Sequence, residues 1–165
     1  MNNQRSFIFV ICLLCCGGSL AQASPLAVGD PVPAITANDQ NGIKFVFTNG
    51  IHFLLVATEM DCAISANQKL AAKGAGFLEK YDAAYLMDIH TMPGIARLFA
   101  FPKMRKYPER IVLVDSAQAL AAFPAQPGRL TILALTTDGH IEKIGYWNPN
   151  DEPVDECFTG KKQNR

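Results

Sequence analysis

Cys62 has the clearest potential for chemistry in this 165-residue chain. It follows Phe53–Ala57, a short apolar run typical of a buried central strand, and precedes Ala63–Lys80, where apolar residues recur at helical spacing. A thiol at the start of a helix lies beside free backbone N–H groups and the positive end of the helix dipole, which both stabilise a thiolate. The spacing therefore makes Cys62 a candidate nucleophile or redox residue.

The charges next to Cys62 favour other interpretations. Glu59 and Asp61 are negative, and negative neighbours disfavour a thiolate. Cys62 is then either an idle buried thiol or one half of a disulfide with Cys157, the other cysteine outside the N-terminal segment. Such a bond would close a loop of about 95 residues. All three possibilities stay open at this point.

No metal or cofactor site is predicted from the sequence. A copper site would require Cys62, His90, Met60 and Met92 to converge, without a second cysteine at close spacing. The chain contains neither Gly-x-Gly-x-x-Gly nor Gly-x-x-x-x-Gly-Lys, the glycine-rich loops that hold dinucleotides and phosphates. We therefore expect no cofactor and no metal.

Residues 1–23 have the pattern of a signal peptide. Arg5 supplies the positive start, Phe7–Cys16 the apolar segment, and Ala21–Ala23 the small-x-small cleavage site. A lipid anchor on Cys15 or Cys16 is the weaker alternative, because Leu13-Leu14-Cys15-Cys16 lacks the small residue expected just before a lipidated cysteine. The pattern predicts cleavage before Ser24, an exported protein in the periplasm or outside the cell, and no membrane span after cleavage.

Residues 24–165 then form one predicted domain of 142 residues with a formal charge of −1. This charge gives no reason to expect a nucleic-acid or anionic-membrane partner. The basic cluster of the loop Phe101–Glu109 is predicted to be a solvated surface; it comprises Lys103, Arg105, Lys106 and the adjoining Arg110.

The order of elements predicts an α/β domain. The central strands are predicted at Phe53–Ala57, Ala83–Ile89, Arg110–Asp115 and Leu130–Thr136. An edge strand at Ile43–Phe47 precedes them, and Asp138-Gly139 turns the last strand into His140–Tyr146. Helices are predicted at Ala63–Lys80, at Met92–Ala100 capped by Thr91, and from Ser116 to Ala122. A short helix at Val154–Phe158 lies in a tail that is otherwise expected to be flexible.

Several motifs resemble those of the thioredoxin-like AhpC/TSA and TlpA-type domains. These are Val28–Pro33 followed by Asn38–Gly42, Ile111–Asp115, and Leu130–Leu133 leading to Asp138–Ile141. The stretch from Met87 to Arg105 is similar to a group of small exported, uncharacterised proteins of Gram-negative bacteria with this fold. The resemblance implies a thioredoxin-like central mixed sheet with helices on both faces.

The resemblance also shows where the catalytic pattern of these families is incomplete. Ser65 stands where a Cys-x-x-Cys motif has its resolving thiol. A peroxiredoxin site has threonine three residues before the cysteine, whereas Thr58 lies four before Cys62. Arg129 stands about where the family arginine belongs, and Pro127 is the candidate for the cis-proline that faces the cysteine. The candidate catalytic residues are thus Cys62, Thr58 and Arg129.

Two functions follow from this pattern. The first is a non-catalytic exported domain that binds an unidentified protein or small molecule of the cell envelope. Its binding face is predicted to include Met60, Cys62, Arg129 and the loop Pro102–Pro108. The alternative is a single-cysteine thiol enzyme, peroxidase-like or glutathione-linked, with Cys62 as nucleophile and Arg129 stabilising charge.

Overall fold

The computed structural model describes residues 24–158. The predicted signal peptide and residues 159–165 lie outside the described residues. Seven strands form one sheet in the order β2-β1-β5-β4-β3-β6-β7. Their bounds are β1 Thr36–Asp39, β2 Lys44–Val46, β3 Phe53–Ala57, β4 Ala83–Asp88, β5 Ile111–Val114, β6 Leu130–Leu135 and β7 Ile141–Trp147.

The four central strands confirm the sequence prediction to within one residue at each end. β3 is buried along its whole length and pairs in parallel with β4, which in turn pairs in parallel with β5. β6 lies antiparallel to β3 on the other side, and the Asp138-Gly139 turn joins it to β7. This mixed sheet brings the carboxyl ends of three parallel strands to one edge, where Cys62 follows β3.

Helices cover both faces of the sheet. They are α1 Met60–Ala71, α2 Gly94–Met104 and α3 Ala117–Leu120. Buried residues of α1 and α2 share one hydrophobic cluster with β3 and β4, while Leu120 of α3 belongs to a second cluster on the opposite face. The crossovers from β3 to β4 and from β4 to β5 run in the same direction across the sheet, so a common handedness places α1 and α2 on one face. The connection from β5 to the antiparallel β6 carries α3 on the other face. The predicted α/β architecture is therefore present.

The helix after Cys62 is shorter than Ala63–Lys80. It begins at Met60, with Glu59 as the N-cap residue, and ends at Ala71. Gly74 and Gly76 follow with φ of 84° and 79°, a left-handed conformation that does not continue a helix. A separate 3₁₀ turn at Glu79–Tyr81 leads into β4. The apolar periodicity thus spans two elements separated by a glycine-rich break.

The N-terminal region contains a strand that the sequence analysis missed. Asn38–Gly42 was predicted as a turn alone, but Asn38 and Asp39 end β1, which pairs with both β2 and β5. The turn begins only after Asp39, which uses its carboxylate to accept hydrogen bonds from the amides of Asn41 and Ile43. The predicted edge strand is β2, which lies at one edge of the sheet.

The second helix extends farther than the predicted Met92–Ala100. It begins at Gly94 after Pro93, so Thr91 is not its cap, and it continues through Pro102 to Met104. Pro102 lacks the N–H that would bond to the carbonyl of Leu98, and the helix tolerates this loss because Met104 is anchored in the core. Part of the predicted loop is therefore helical.

The C-terminal segment packs on the core up to Phe158. The short helix predicted at Val154–Phe158 is a 3₁₀ helix. The ring of Phe158 stacks on Tyr81 with centroids 4.2 Å apart and meets the ring of Phe53 edge to face at 5.2 Å. The indole N–H of Trp147 donates to the carbonyl of Glu152 at 3.1 Å. Chain flexibility remains a prediction for residues 159–165 only.

Candidate functional site

Cys62 is the third residue of α1, immediately beyond the carboxyl end of β3. This position agrees with the sequence prediction, but the surroundings of the thiol are apolar. The side chain is only 3% exposed and belongs to the core cluster that also contains Ala63, Met87 and Met92. A soluble substrate would therefore not reach the sulfur without movement of the protein.

Burial raises the pKa of the Cys62 thiol to about 11, and the negative charge of Glu59 adds to the effect. Desolvation favours the neutral thiol, and a nearby carboxylate disfavours a second negative charge. Together they outweigh the stabilisation that the helix N-terminus offers a thiolate. Cys62 is accordingly protonated at neutral pH.

The second cysteine does not assist the first. Cys62 and Cys157 are both free thiols, so the disulfide alternative is not realised in the structure. Burial also raises the pKa of Cys157, to about 12. Cys157 lines a groove of about 350 Å³ between the C-terminal 3₁₀ helix and the sheet, together with Phe53, Ile132 and Trp147. The thiol of Cys157 on the wall of this groove is therefore protonated at neutral pH.

The guanidinium of Arg129 is engaged by another group. Its Nη1 lies 3.0 Å from Oε1 of Glu152, and Glu152 also accepts a hydrogen bond from the amide of Asn148. These bonds lower the pKa of the Glu152 carboxyl. Arg129 thus fixes the turn after β7, and the structure does not assign it to stabilising charge at Cys62.

The loop before β6 nevertheless lies against the start of α1. The amide of Gly128 donates to Oε2 of Glu59 at 2.9 Å. Residues 24–158 contain no cis peptide bond, so the candidate cis-proline Pro127 is trans. The backbone before β6 thus contacts the start of α1, but the contact is made by a carboxylate that opposes thiolate formation.

Thr58 follows β3 directly and is half-buried. Within the described part of the chain, its hydroxyl has no hydrogen-bond partner. The three predicted catalytic residues therefore lie near one end of the sheet without forming a hydrogen-bonded set. The structure instead connects this end through Glu59 and Gly128.

Metal-binding side chains do not cluster at this edge. His90 pairs with Asp88 at 2.7 Å, and Met92 is buried in the core. Between residues 24 and 158, no group of three or more His, Cys, Asp or Glu side chains could hold a metal ion. In the same range, no helix has the length and apolar character needed to cross a membrane.

Several buried polar groups without partners were not predicted. Both carboxyl oxygens of Glu109, the hydroxyl of Tyr85 and Oδ1 of Asn67 are buried without a hydrogen-bond partner among the described residues. Burial raises the pKa of Glu109, and the nearby charge of Glu79 adds to it. Burial also raises the pKa of Tyr85. Glu109 stands in a basic, proline-rich stretch, so its sequence context favoured exposure and gave no signal of burial.

We expect Glu109→Gln to stabilise the fold at neutral pH. The raised pKa means that the folded state holds this proton where the unfolded state has released it, so stability falls as pH rises above about 4.5. Because glutamine carries no titratable carboxyl group, the variant does not lose stability in this way. Removing an unpaired buried carboxylate raises the free energy of unfolding by about 1–3 kcal/mol. Urea unfolding at pH 4 and pH 7 measures the difference. Glu142→Gln, at an exposed position on β7, is the control. The prediction is contradicted if the free energy of unfolding changes equally with pH in the wild type and in Glu109→Gln.

Comparisons with known proteins identify the fold. No family model matches the chain, and no curated protein matches it in sequence. The structure is similar to that of a peroxiredoxin-like protein from Aquifex aeolicus, with a TM-score of 0.56 and 10% identity over 83% of this chain and 86% of that one. It is also similar to the thioredoxin domain of a thiol-disulfide oxidoreductase from Bacteroides vulgatus, with a TM-score of 0.52 and 17% identity over 81% and 94% of the two chains.

A peroxidoxin from Mycobacterium tuberculosis gives a TM-score of 0.50 at 16% identity, over 81% of this chain and 94% of that one. These likenesses span most of each chain, and they agree with the mixed sheet and the two-sided helices. At such identities they establish architecture and leave activity open. The chain has the thioredoxin-like fold.

Proposed function

We propose that this chain is an exported thioredoxin-like domain that does not perform thiol chemistry and acts by binding in the cell envelope. The observation that carries the proposal is the state of Cys62. Its thiol is 3% exposed and has a pKa of about 11. Thiolate, which is the reactive form of cysteine, is therefore scarce at the pH of the periplasm.

The groups around Cys62 support the same proposal. A dithiol mechanism needs a second thiolate to resolve the mixed disulfide, and Ser65 has a hydroxyl in that position. A peroxidase mechanism needs a cation to stabilise the thiolate and the leaving oxygen, and Arg129 is paired with Glu152. Glu59, at the N-cap position of α1, has the wrong sign to stabilise a thiolate.

The slow reaction of Cys62 with alkylating agents is the expected result. The Cys157→Ser variant leaves Cys62 as the single thiol outside the predicted signal peptide. At pH 7, a pKa raised from 9.0 to about 11 lowers the thiolate fraction about 100-fold relative to a free cysteine. We therefore expect iodoacetamide to modify Cys62 at least about 100-fold more slowly than a cysteine peptide, with the rate rising up to about pH 11.

Substitution of Cys62 itself tests the alternative function. We expect Cys62→Ser to cost no more than about 1–2 kcal/mol of unfolding free energy and to change no activity. A single-cysteine enzyme is established instead if Cys62 is alkylated rapidly below pH 7 and if the protein consumes peroxide or forms a mixed disulfide. Cys62→Ser would have to abolish that activity.

Mass spectrometry of the protein expressed with its leader would show whether cleavage occurs before Ser24.

A further inference from the structure

The outer face of α2 carries large apolar side chains that are not buried in the fold. Ile95, Leu98 and Phe99 are 68%, 68% and 75% exposed. Their spacing of three and four residues places them on one side of the helix, and Pro102 continues the row by one turn. Single exposed apolar residues are ordinary on protein surfaces, whereas a contiguous row of this kind marks an interaction site.

The segment that carries this face has side-chain charges of one sign. The sequence from Ile89 to Pro108 contains no Asp or Glu, although the whole chain has equal numbers of acidic and basic residues. Lys103, Arg105 and Lys106 are exposed at the carboxyl end of α2. Neither lysine forms an ion pair within residues 24–158. A surface with an apolar row beside unpaired cations is complementary to a partner with apolar and anionic groups.

The core holds this face in a fixed position. Arg97, on the same helix, donates from Nε to the carbonyl of Met92 at 3.0 Å and from Nη2 to the carbonyl of Ile89 at 2.8 Å. It also forms a bidentate ion pair with Asp115 at the end of β5. On its inner side α2 contacts the core through Ala96, Ala100 and Met104. The apolar row therefore projects from a helix that is tied to two strands.

We propose that this face of α2 binds the surface of an anionic lipid bilayer. Ile95, Leu98 and Phe99 insert at the boundary between headgroups and acyl chains, and Lys103 and Lys106 pair with lipid phosphates. The row stands on a convex helix surface. A protein partner would need a matching groove to cover it, whereas insertion into a bilayer needs none. The lysine stems reach past the apolar row to the headgroup level. This inference does not depend on the state of Cys62.

Flotation with lipid vesicles tests the proposal. The exported protein is purified in one processed form, checked by mass spectrometry, and all variants are compared in that form. We expect the wild type to float with vesicles of phosphatidylglycerol and phosphatidylcholine and to bind pure phosphatidylcholine at least about tenfold more weakly. The triple variant Ile95→Ser/Leu98→Ser/Phe99→Ser should reduce binding about tenfold or more, as should Lys103→Gln/Lys106→Gln. Raising the salt concentration should weaken binding of the wild type.

A control exists on another surface. Val28 is 63% exposed, and Val28→Ser removes apolar area from the segment in which Leu26 packs on the opposite face of the sheet from α2. We expect this variant to bind vesicles like the wild type. The proposal is overturned if the wild type does not bind anionic vesicles, if the triple variant binds equally well, or if the control loses as much binding. Sedimentation that shows a dimer dissociated by the triple variant would assign the face to a second copy and overturn it as well.

Discussion

Replacing Phe158 by alanine should lower the free energy of unfolding by about 3–5 kcal/mol. Phe158 is 4% exposed, and its ring contacts those of Phe53, Phe77 and Tyr81. Because Phe53 begins β3 and Tyr81 precedes β4, the C-terminal segment covers the point where the two central parallel strands start. Truncation opens a cavity there and also loses the aromatic contacts. Urea unfolding followed by tryptophan fluorescence measures the effect.

Phe99→Ala is the matched control, since it removes the same side chain from an exposed position. We expect it to change stability by no more than about 0.5 kcal/mol. If the two variants were equally stable, the C-terminal segment would not be docked as the structure describes. A loss confined to Phe158→Ala also separates packing from the general effect of removing an aromatic ring.

The second large effect is expected for Gln40→Ala. The side chain of Gln40 is buried and joins β1 to the start of β5: its Nε2 donates to the carbonyl of Glu109 at 2.7 Å, and its Oε1 accepts from the amide of Ile111 at 2.8 Å. Alanine leaves these two backbone groups buried and unpaired. Each such group costs about 1–3 kcal/mol, so we expect a loss of about 2–5 kcal/mol by chemical unfolding.

Gln40→Met distinguishes hydrogen bonding from packing. Methionine has nearly the same length and volume, but it cannot donate to the carbonyl of Glu109 and is only a weak acceptor for the amide of Ile111. We therefore expect Gln40→Met to be destabilised nearly as much as Gln40→Ala. A methionine variant as stable as the wild type would show that Gln40 acts by filling space, which contradicts the hydrogen-bond explanation.

The sequence predicted those parts of the fold that local pattern determines. Phe53–Ala57 is short and apolar at every position, as is typical of a strand buried on both faces, and β3 has these bounds. Asp138-Gly139 determines the hairpin by itself, because Gly139 adopts the positive φ that the turn needs. Predictions of this kind depend on few residues, close together in the chain.

Features that depend on distant contacts were missed. β1 joins the central sheet because Asn38 and Asp39 pair with β5, more than 70 residues away, and the local sequence around them is that of a turn. The burial of Cys62 likewise depends on which side chains the sheet brings over it. Its position at a helix start was predictable, but its pKa was not, since desolvation is set by the packed structure.

Pro102 shows a third reason. Proline is a helix breaker by intrinsic propensity, and the basic residues after it indicated a solvated loop. The anchoring of Met104 and the clamp formed by Arg97 outweigh this local preference, so α2 continues to Met104. Extending the helix is what places Lys103 on the same element as the exposed row that begins at Ile95.

The strand order has a consequence for how the protein reaches its native state. β1 is among the first elements in the chain, yet it pairs with β5, and the bonds of Gln40 and Asp39 to Glu109, Ile111 and Arg110 span about 70 residues. Contacts of such high sequence separation form slowly. A chain synthesised from its N-terminus therefore cannot join β1 and β2 to the central sheet until β5 has also been made. The topology delays completion of this half of the sheet.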